Sequence, residues 1–219
     1  MRNLIIFGDS LFAERISKYI IAEGKDKFVG FTQEKQFINR EEINGYPVIP
    51  FENLKLVFSE DFELILGVGY SQMNTLREKI FHKCQSEGCK IATYISSNAM
   101  CYSDEIGDGN FICPGALIGP SCKIGNGNFI ESCSVLSHDN QLGNYNFLSS
   151  NAIFGGGAKV EDRCFFGLNS TVKDNVSIAS ENLIGSASNI TKSIIEQGGV
   201  YIGNPARLLP NKNSRHTKI

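Results

Sequence analysis

From Ile106 to Ile184 a branched or aromatic apolar residue returns at every sixth position, fourteen times without a slip, running through Ile118, Leu136, Phe154 and Phe166. Four places after each stands a small or short side chain, from Asn110 and Ala116 through Cys122 and Cys164 to Ser188, with Val176 the one larger member. A period of six matches neither the 3.6 of an amphipathic helix nor the alternation of a hairpin, but it suits a three-sided parallel β-helix. Each hexad then supplies one short strand and one turn, and three make a coil of about 18 residues, stacked at roughly 4.8 Å. Fourteen hexads give four to five coils. Glycine follows the apolar residue at Gly107, Gly119, Gly125, Gly143, Gly155, Gly167 and Gly185, and with the many asparagines it is expected to supply the permissive dihedrals of the corners.

Residues 1–96 follow a different rule. Apolar strand-like runs at Leu4–Phe7, Phe28–Phe31, Leu64–Leu66 and Ile91–Ile95 alternate with helical stretches at Leu11–Ile21 and Thr75–Glu87. The segment Gln33–Pro50 is polar, ending in an extended Val48-Ile49 before a helical turn at Phe51–Leu54. Strands alternating with helices predict a small Rossmann-like parallel sheet. The chain therefore divides into an α/β domain over 1–96 and an all-β domain with a C-terminal tail over 97–219.

A net charge of −2 offers no global attraction for nucleic acid, and no apolar run approaches the ~18 residues of a membrane span. The N-terminal run Leu4–Phe7 is shorter than a secretion signal, so a cytoplasmic protein is expected. Seven cysteines, an odd number without paired spacing, read as buried small hydrophobes rather than a disulfide framework. No two of the three histidines stand at metal-ligand spacing, and no metal is expected.

The hexads, the opening strand with Gly8-Asp9-Ser10, the run Gly67-Val68-Gly69-Tyr70-Ser71 before Leu76-Arg77-Glu78-Lys79, Ser137-His138-Asp139, and the closing Gly203-Asn204-Pro205-Ala206-Arg207 together resemble the hexapeptide-repeat acyltransferases. The likeness is nearest to bacterial nucleotide-sugar acetyltransferases, a group that includes 4-amino-sugar N-acetyltransferases and sialic acid O-acetyltransferases, and it covers almost the whole chain. It implies a left-handed β-helix, a homotrimer, and acetyl-coenzyme A as cosubstrate in the groove between subunits.

His138 falls two places after Leu136, at a corner, so its ring is expected to project outward. In the family the histidine at this point accepts a proton from the attacking amine or hydroxyl, a contribution commonly worth ~10²–10⁴ in rate. Asp139 is placed to orient the ring or to stabilise its charged form if the corner turns both side chains outward. One coil above His138 stands Gly156, within Gly155-Gly156-Gly157. That run either lets a thioester approach and offers an N–H to the oxyanion, or makes a tight corner. Residues 93–190 carry nine acidic and four basic side chains, so the coils themselves do not attract coenzyme A phosphates. The basic residues of the closing segment, Lys192, Arg207, Lys212, Arg215 and Lys218, stand where relatives contact the nucleotide end of the cofactor, Lys192 and Arg207 foremost.

In the first domain a strand, a turn and a helix from Leu11 would aim free N–H groups at an anion. The resemblance assigns Gly8, Asp9, Ser10, Thr32, Gln33, Gly69 and Tyr70 to the nucleotide-linked amino sugar. The turn is poorer in glycine than is common in the family, Thr32 and Gln33 stand where acidic residues are frequent, and Asn146 replaces a histidine that some relatives carry. The same turn mimics the Gly-Asp-Ser-Leu block of certain hydrolases, yet no histidine here follows an aspartate by three places.

The resulting expectation is N-acetylation of a nucleotide-linked amino-deoxysugar, best fitted by a 4-amino-4,6-dideoxyhexose, for surface-glycan synthesis. The alternatives are O-acetylation of a sugar such as sialic acid and a non-catalytic trimeric scaffold.

Overall fold

The computed structural model describes residues 1–58 and 61–217. Its first part is a parallel sheet built from β1 (Asn3–Phe7), β2 (Lys27–Gln33), β3 (Glu42–Ile43), β4 (Tyr46–Pro50), β5 (Glu63–Leu66) and β6 (Lys90–Ile91), in the order β3-β4-β2-β1-β5-β6. Only β3 runs antiparallel, against β4. Helix α1 (Leu11–Glu23) follows β1, the single turn α2 (Leu54–Val57) precedes β5, and α3 (Thr75–Ser86) follows it. Alternate residues of β1 leave the sheet on opposite sides. Leu4 and Ile6 join the cluster beneath α1, whereas Ile5 and Phe7 pack with Ile80 and Phe81 of α3.

α1 begins where Ser10 accepts the Ala13 N–H and ends at Gly24, whose left-handed φ of +62° returns its N–H to the Ile20 carbonyl. β1 and β5 approach so closely at their ends that a Cβ on Gly8 would lie 2.7 Å from the Gly67 carbonyl oxygen. Two glycines at that crossing are a steric requirement.

Winding starts at Tyr94–Ile95 and makes a three-sided prism of two-residue strands. Sheet one holds Tyr94–Ile95, Phe111–Ile112, Phe129–Ile130, Phe147–Leu148, Phe165–Phe166 and Leu183–Ile184; sheet two holds Met100–Cys101, Leu117–Ile118, Val135–Leu136, Ile153–Phe154, Thr171–Val172 and Asn189–Ile190; sheet three runs from Glu105–Ile106 to Ser177–Ile178. The second residue of each pair points inward, and these side chains from Ile112 to Ile190 form one dry core. The first coil is one residue short, since Ile95 and Cys101 pair with Ile112 and Ile118, while later partners such as Leu136 and Phe154 are 18 apart.

The corners correct the sequence expectation. Glycines directly after the inward residue are not in left-handed conformations; the left-handed residue comes two places later, at every sixth position from Gly109 to Ala187, with φ between +55° and +76°. Most of these fourteen are not glycine, Asp139, Asn151 and Arg163 among them. The glycines answer a different demand, close stacking: a Cβ on Gly125 would lie 2.6 Å from the Gly143 carbonyl oxygen, and one on Gly143 would lie 2.9 Å from that of Glu161. Inside the corner between sheets three and one, Asn110, Asn128 and Asn146 form a ladder in which each side-chain oxygen takes an N–H 18 residues on, the last from Cys164.

The outer positions of sheet one are Tyr94, Phe111, Phe129, Phe147 and Phe165, stacked at 4.9–5.5 Å with interplanar angles under 20°. α1 covers them, with Phe12 4.8 Å from Phe129 and Ile16 and Ile20 in the same cluster. The two halves therefore share a core. On the neighbouring corner, Arg163 reaches Glu78 of α3 and Glu181, and Arg215 adds a second guanidinium to Glu181. Those hydrogen bonds, from Arg215 foremost, hold the Glu181 carboxyl below the usual range.

Candidate active site

His138 projects from the corner between sheets two and three with 63% of its side chain exposed, and its Nδ1 lies 2.7 Å from Asp139 Oδ2. Neighbouring side chains diverge on a straight strand. They converge here because Asp139 is left-handed, with φ +55°. An ionised carboxylate only accepts, so Nδ1 carries the hydrogen and Nε2 is left as an outward acceptor.

Above the ring lies Gly156. A Cβ there would fall 2.5 Å from His138 Nε2, so the absence of a side chain is what lets the imidazole occupy this place. The oxyanion expectation is corrected. The Gly156 N–H is already donated to Asp174 Oδ1 at 2.9 Å, that of Gly155 to the Val172 carbonyl, and that of Gly157 to the His138 carbonyl. None of the three stands free to receive an oxyanion.

Leu136, Phe154, Val172 and Ile190 are successive register partners, and two residues beyond the first three His138, Gly156 and Asp174 rise in one column, while Lys192 follows Ile190 on a corner shortened by the pairing of Ile178 with Ile194. Lys192, exposed, thus stands three coils above His138, about 14 Å along the prism. Arg207 is exposed on the antiparallel hairpin at the end of the prism, where the neighbouring Ala206 N–H bonds the Asn189 carbonyl. Arg215 is engaged by Glu181, and Lys218 lies outside the described residues.

The α/β domain contributes a cleft of about 400 Å³ at the ends of β1, β2 and β5. Gly8, Asp9, Ser10, Gln33 and Gly69 line it, as expected from their positions in the chain. Thr32 does not: it is fully buried, and its hydroxyl donates to the Ile49 carbonyl at 2.8 Å. Tyr70 turns the other way, against Phe147 and Phe165. There it lines a second hollow of about 510 Å³ with Leu11, Arg15, Glu131, Ser150 and Leu168, along the corner between sheets one and two. His138 and the second hollow thus lie on opposite edges of sheet two. Ser10 Oγ is occupied in capping α1, as a helix-capping hydroxyl rather than a nucleophile.

Phe37 and the role of Arg77 escaped the sequence reading. Phe37, on the turn after β2, is an exposed aromatic ring on the cleft wall; its signal was a lone phenylalanine in an otherwise polar segment. Arg77 is fully buried against the rings of Phe12 and Phe129 and donates to the Val68 carbonyl, fixing the loop after β5; burial pushes its pKa down to about 9. Among the described residues no cluster of three or more histidine, cysteine or acidic side chains is arranged to hold a metal ion, and no helix is long and apolar enough to cross a membrane.

Residues 3–84 match the PglD N-terminal domain family, and residues 105–138 match the bacterial transferase hexapeptide family. Among solved structures the chain is similar to PerB from Caulobacter crescentus in complex with CoA and GDP-perosamine, at 21% identity and a TM-score of 0.81, covering 95% of this chain and 98% of that one. It is also similar to the acetyltransferase domain of PglB from Neisseria gonorrhoeae in complex with acetyl coenzyme A, at 21% identity, TM-score 0.81, and 95% and 99% coverage. WeeI from Acinetobacter baumannii matches at 21%, TM-score 0.82, with 95% and 100% coverage. The likeness is one of fold, and it makes the prism a left-handed β-helix, against the usual right-handed crossover.

Proposed function

We propose that this chain, a member of the bacterial hexapeptide-repeat transferases that carry a PglD N-terminal domain, transfers the acetyl group of acetyl-coenzyme A to the amino group of a nucleotide-linked amino-deoxysugar. The observation that carries the reading is the outward imidazole of His138, set over a bare Gly156 with its Nδ1 held by Asp139. PerB, bound to CoA and GDP-perosamine, has the same fold over nearly its whole length. A 4-amino-4,6-dideoxyhexose is the acceptor this reading favours.

In this mechanism His138 Nε2 takes a proton from the amine as its nitrogen adds to the thioester carbonyl. Asp139 fixes the tautomer and stabilises the imidazolium. When the tetrahedral adduct collapses the C–S bond breaks, and the imidazolium returns the proton to the departing thiolate. Gly156 gives room to the ring. Lys192 and Arg207 meet the cofactor's phosphates from the same end of the prism. Gly8, Asp9, Ser10, Gln33 and Gly69 hold the nucleotide, with the start of α1 toward its phosphates.

One chain is not enough. An acceptor held in the hollow beside Tyr70, on one edge of sheet two, is set apart from its own chain's His138 on the other, and the outer face of sheet two, with Met100 and Ile153 exposed, is apolar and uncovered. A homotrimer that buries this face would bring one copy's His138 to the next copy's acceptor. The test is to incubate the protein with acetyl-coenzyme A and a panel of nucleotide-linked amino sugars and their hydroxyl counterparts, following free thiol and product mass. Thiol release with the amino sugars is expected. Release only with hydroxyl acceptors would replace N- by O-acetylation, and none with any acceptor would favour a scaffold.

A further inference from the structure

We propose that Glu131 makes the acceptor site select an amino group over a hydroxyl, by accepting a hydrogen bond from the reacting nitrogen through its open carboxylate oxygen. The inference rests on the acetyl-transfer reading above, with the acceptor in the hollow beside Tyr70 and another copy's His138 as base, and adds the residue that decides between N- and O-transfer.

Glu131 follows the inward Ile130 at the corner between sheets one and two, and its backbone is held on both sides: its N–H donates to the Leu148 carbonyl, and its carbonyl accepts the Ser134 N–H at 3.2 Å. The side chain is only 9% exposed, yet it lines the hollow. Arg15 Nη2 donates to Oε1 at 2.6 Å, whereas Oε2 has no hydrogen-bond partner among the described residues. The aromatic wall of Tyr70, Phe147 and Phe165 suits the C–H face of a sugar ring, and Glu131 is the one acidic side chain among the described residues of the lining. A carboxylate paired with a guanidinium only accepts, so its open oxygen calls for a donor from whatever fills the space.

An amino group meets that demand and a hydroxyl does not, by a count of hydrogens. The amine carries two hydrogens and a lone pair. One hydrogen goes to His138 as the C–N bond forms, the lone pair attacks the thioester carbon, and the second hydrogen, donated to Glu131 Oε2, stays on nitrogen and becomes the amide hydrogen of the product. A hydroxyl has one hydrogen. Given to His138, it leaves an oxygen lone pair facing the carboxylate; given to Glu131, it leaves the base nothing to take.

Glu131→Gln tests this, because it keeps an oxygen for Arg15 and turns an N–H₂ toward the hollow. In the full-length protein kcat/KM for a nucleotide-linked amino sugar is expected to fall about 10- to 100-fold, with equilibrium binding of the matching hydroxyl sugar and of coenzyme A unchanged. Glu131→Asp, which keeps the charge beside Arg15 but draws the oxygens back, is expected to show the same split. Amino-sugar transfer unchanged in both variants, or lost together with hydroxyl-sugar binding and thermal stability, would overturn the assignment and leave Glu131 as the ion pair that ties α1 to the prism, with the acetyl-transfer reading intact. Wild-type protein that releases thiol only with hydroxyl acceptors, or with none, would overturn both.

Discussion

Two outer faces of the same prism, wound from the same hexads, have opposite fates. On sheet one the outward positions are aromatic and buried under α1, and on sheet two they are aliphatic or small and partly open, from Met100 through Leu117, Val135 and Ile153 to Thr171. Sheet three differs from both, presenting Glu105, Lys123, Gln141 and Lys159 to solvent. The inward residues are alike on all three sides, so the prism's own stability does not distinguish its faces. One outward residue per strand decides which face docks the α/β domain, which is left apolar and open, and which presents charge to water.

Substitutions separate these roles. The largest effect is expected at the corner bordering the open face: His138→Ala should lower acetyl transfer by about 10²–10⁴ in steady-state assays, with thermal stability and oligomeric mass unchanged because the side chain is exposed. On the covered face Phe129→Ala should do the reverse, costing about 3–5 kcal/mol in denaturant unfolding, since Phe129 is fully buried between two ring neighbours and Phe12. On the open face Ile153→Glu should convert trimer to monomer by light scattering while leaving the single chain folded. If instead it unfolded the chain without changing its assembly, the contrast between the faces would fail.

Smaller effects follow around these sites. The Glu181 carboxyl titrates lower when folded than when unfolded, so its contribution is complete above the unfolded value of about 4.3 and is lost as pH falls through the folded one. Glu181→Gln should therefore cost roughly 1–2 kcal/mol at pH 7, a cost that shrinks as pH falls through the folded value. Asp139→Asn should lower transfer only about tenfold, with its stability unchanged, because His138 keeps its place over Gly156.

The prism was legible because its signal is strictly periodic: one inward residue every six positions left few other folds available. The glycines after the inward residues were located but misassigned, since the sequence marks where small residues are tolerated without separating left-handed backbone from close stacking, whereas Asn151, Asn169 and Asn175 do take the left-handed corner positions. The aromatic ladder was also written in the chain, one place before the inward residue at every third strand, but a period of 18 is visible only once the coil length is known. At the site, His138, Asp139 and Gly156 came from register. The capture of the Gly156 N–H by Asp174 and the burial of Thr32 did not, because both depend on how a side chain settles against a neighbouring strand. Gln33 was found by its place at the end of β2.

Mixed assemblies test a site shared between copies most directly. A His138→Ala chain keeps its cleft, and a Gly69→Trp chain keeps its imidazole while filling the cleft that Gly69 lines. Co-refolding the two inactive variants should restore acetyl transfer to at most about one third of the wild-type rate, one complete site per mixed trimer. Mixed trimers that form, by native mass, and stay as inactive as either parent would contradict a site shared between copies.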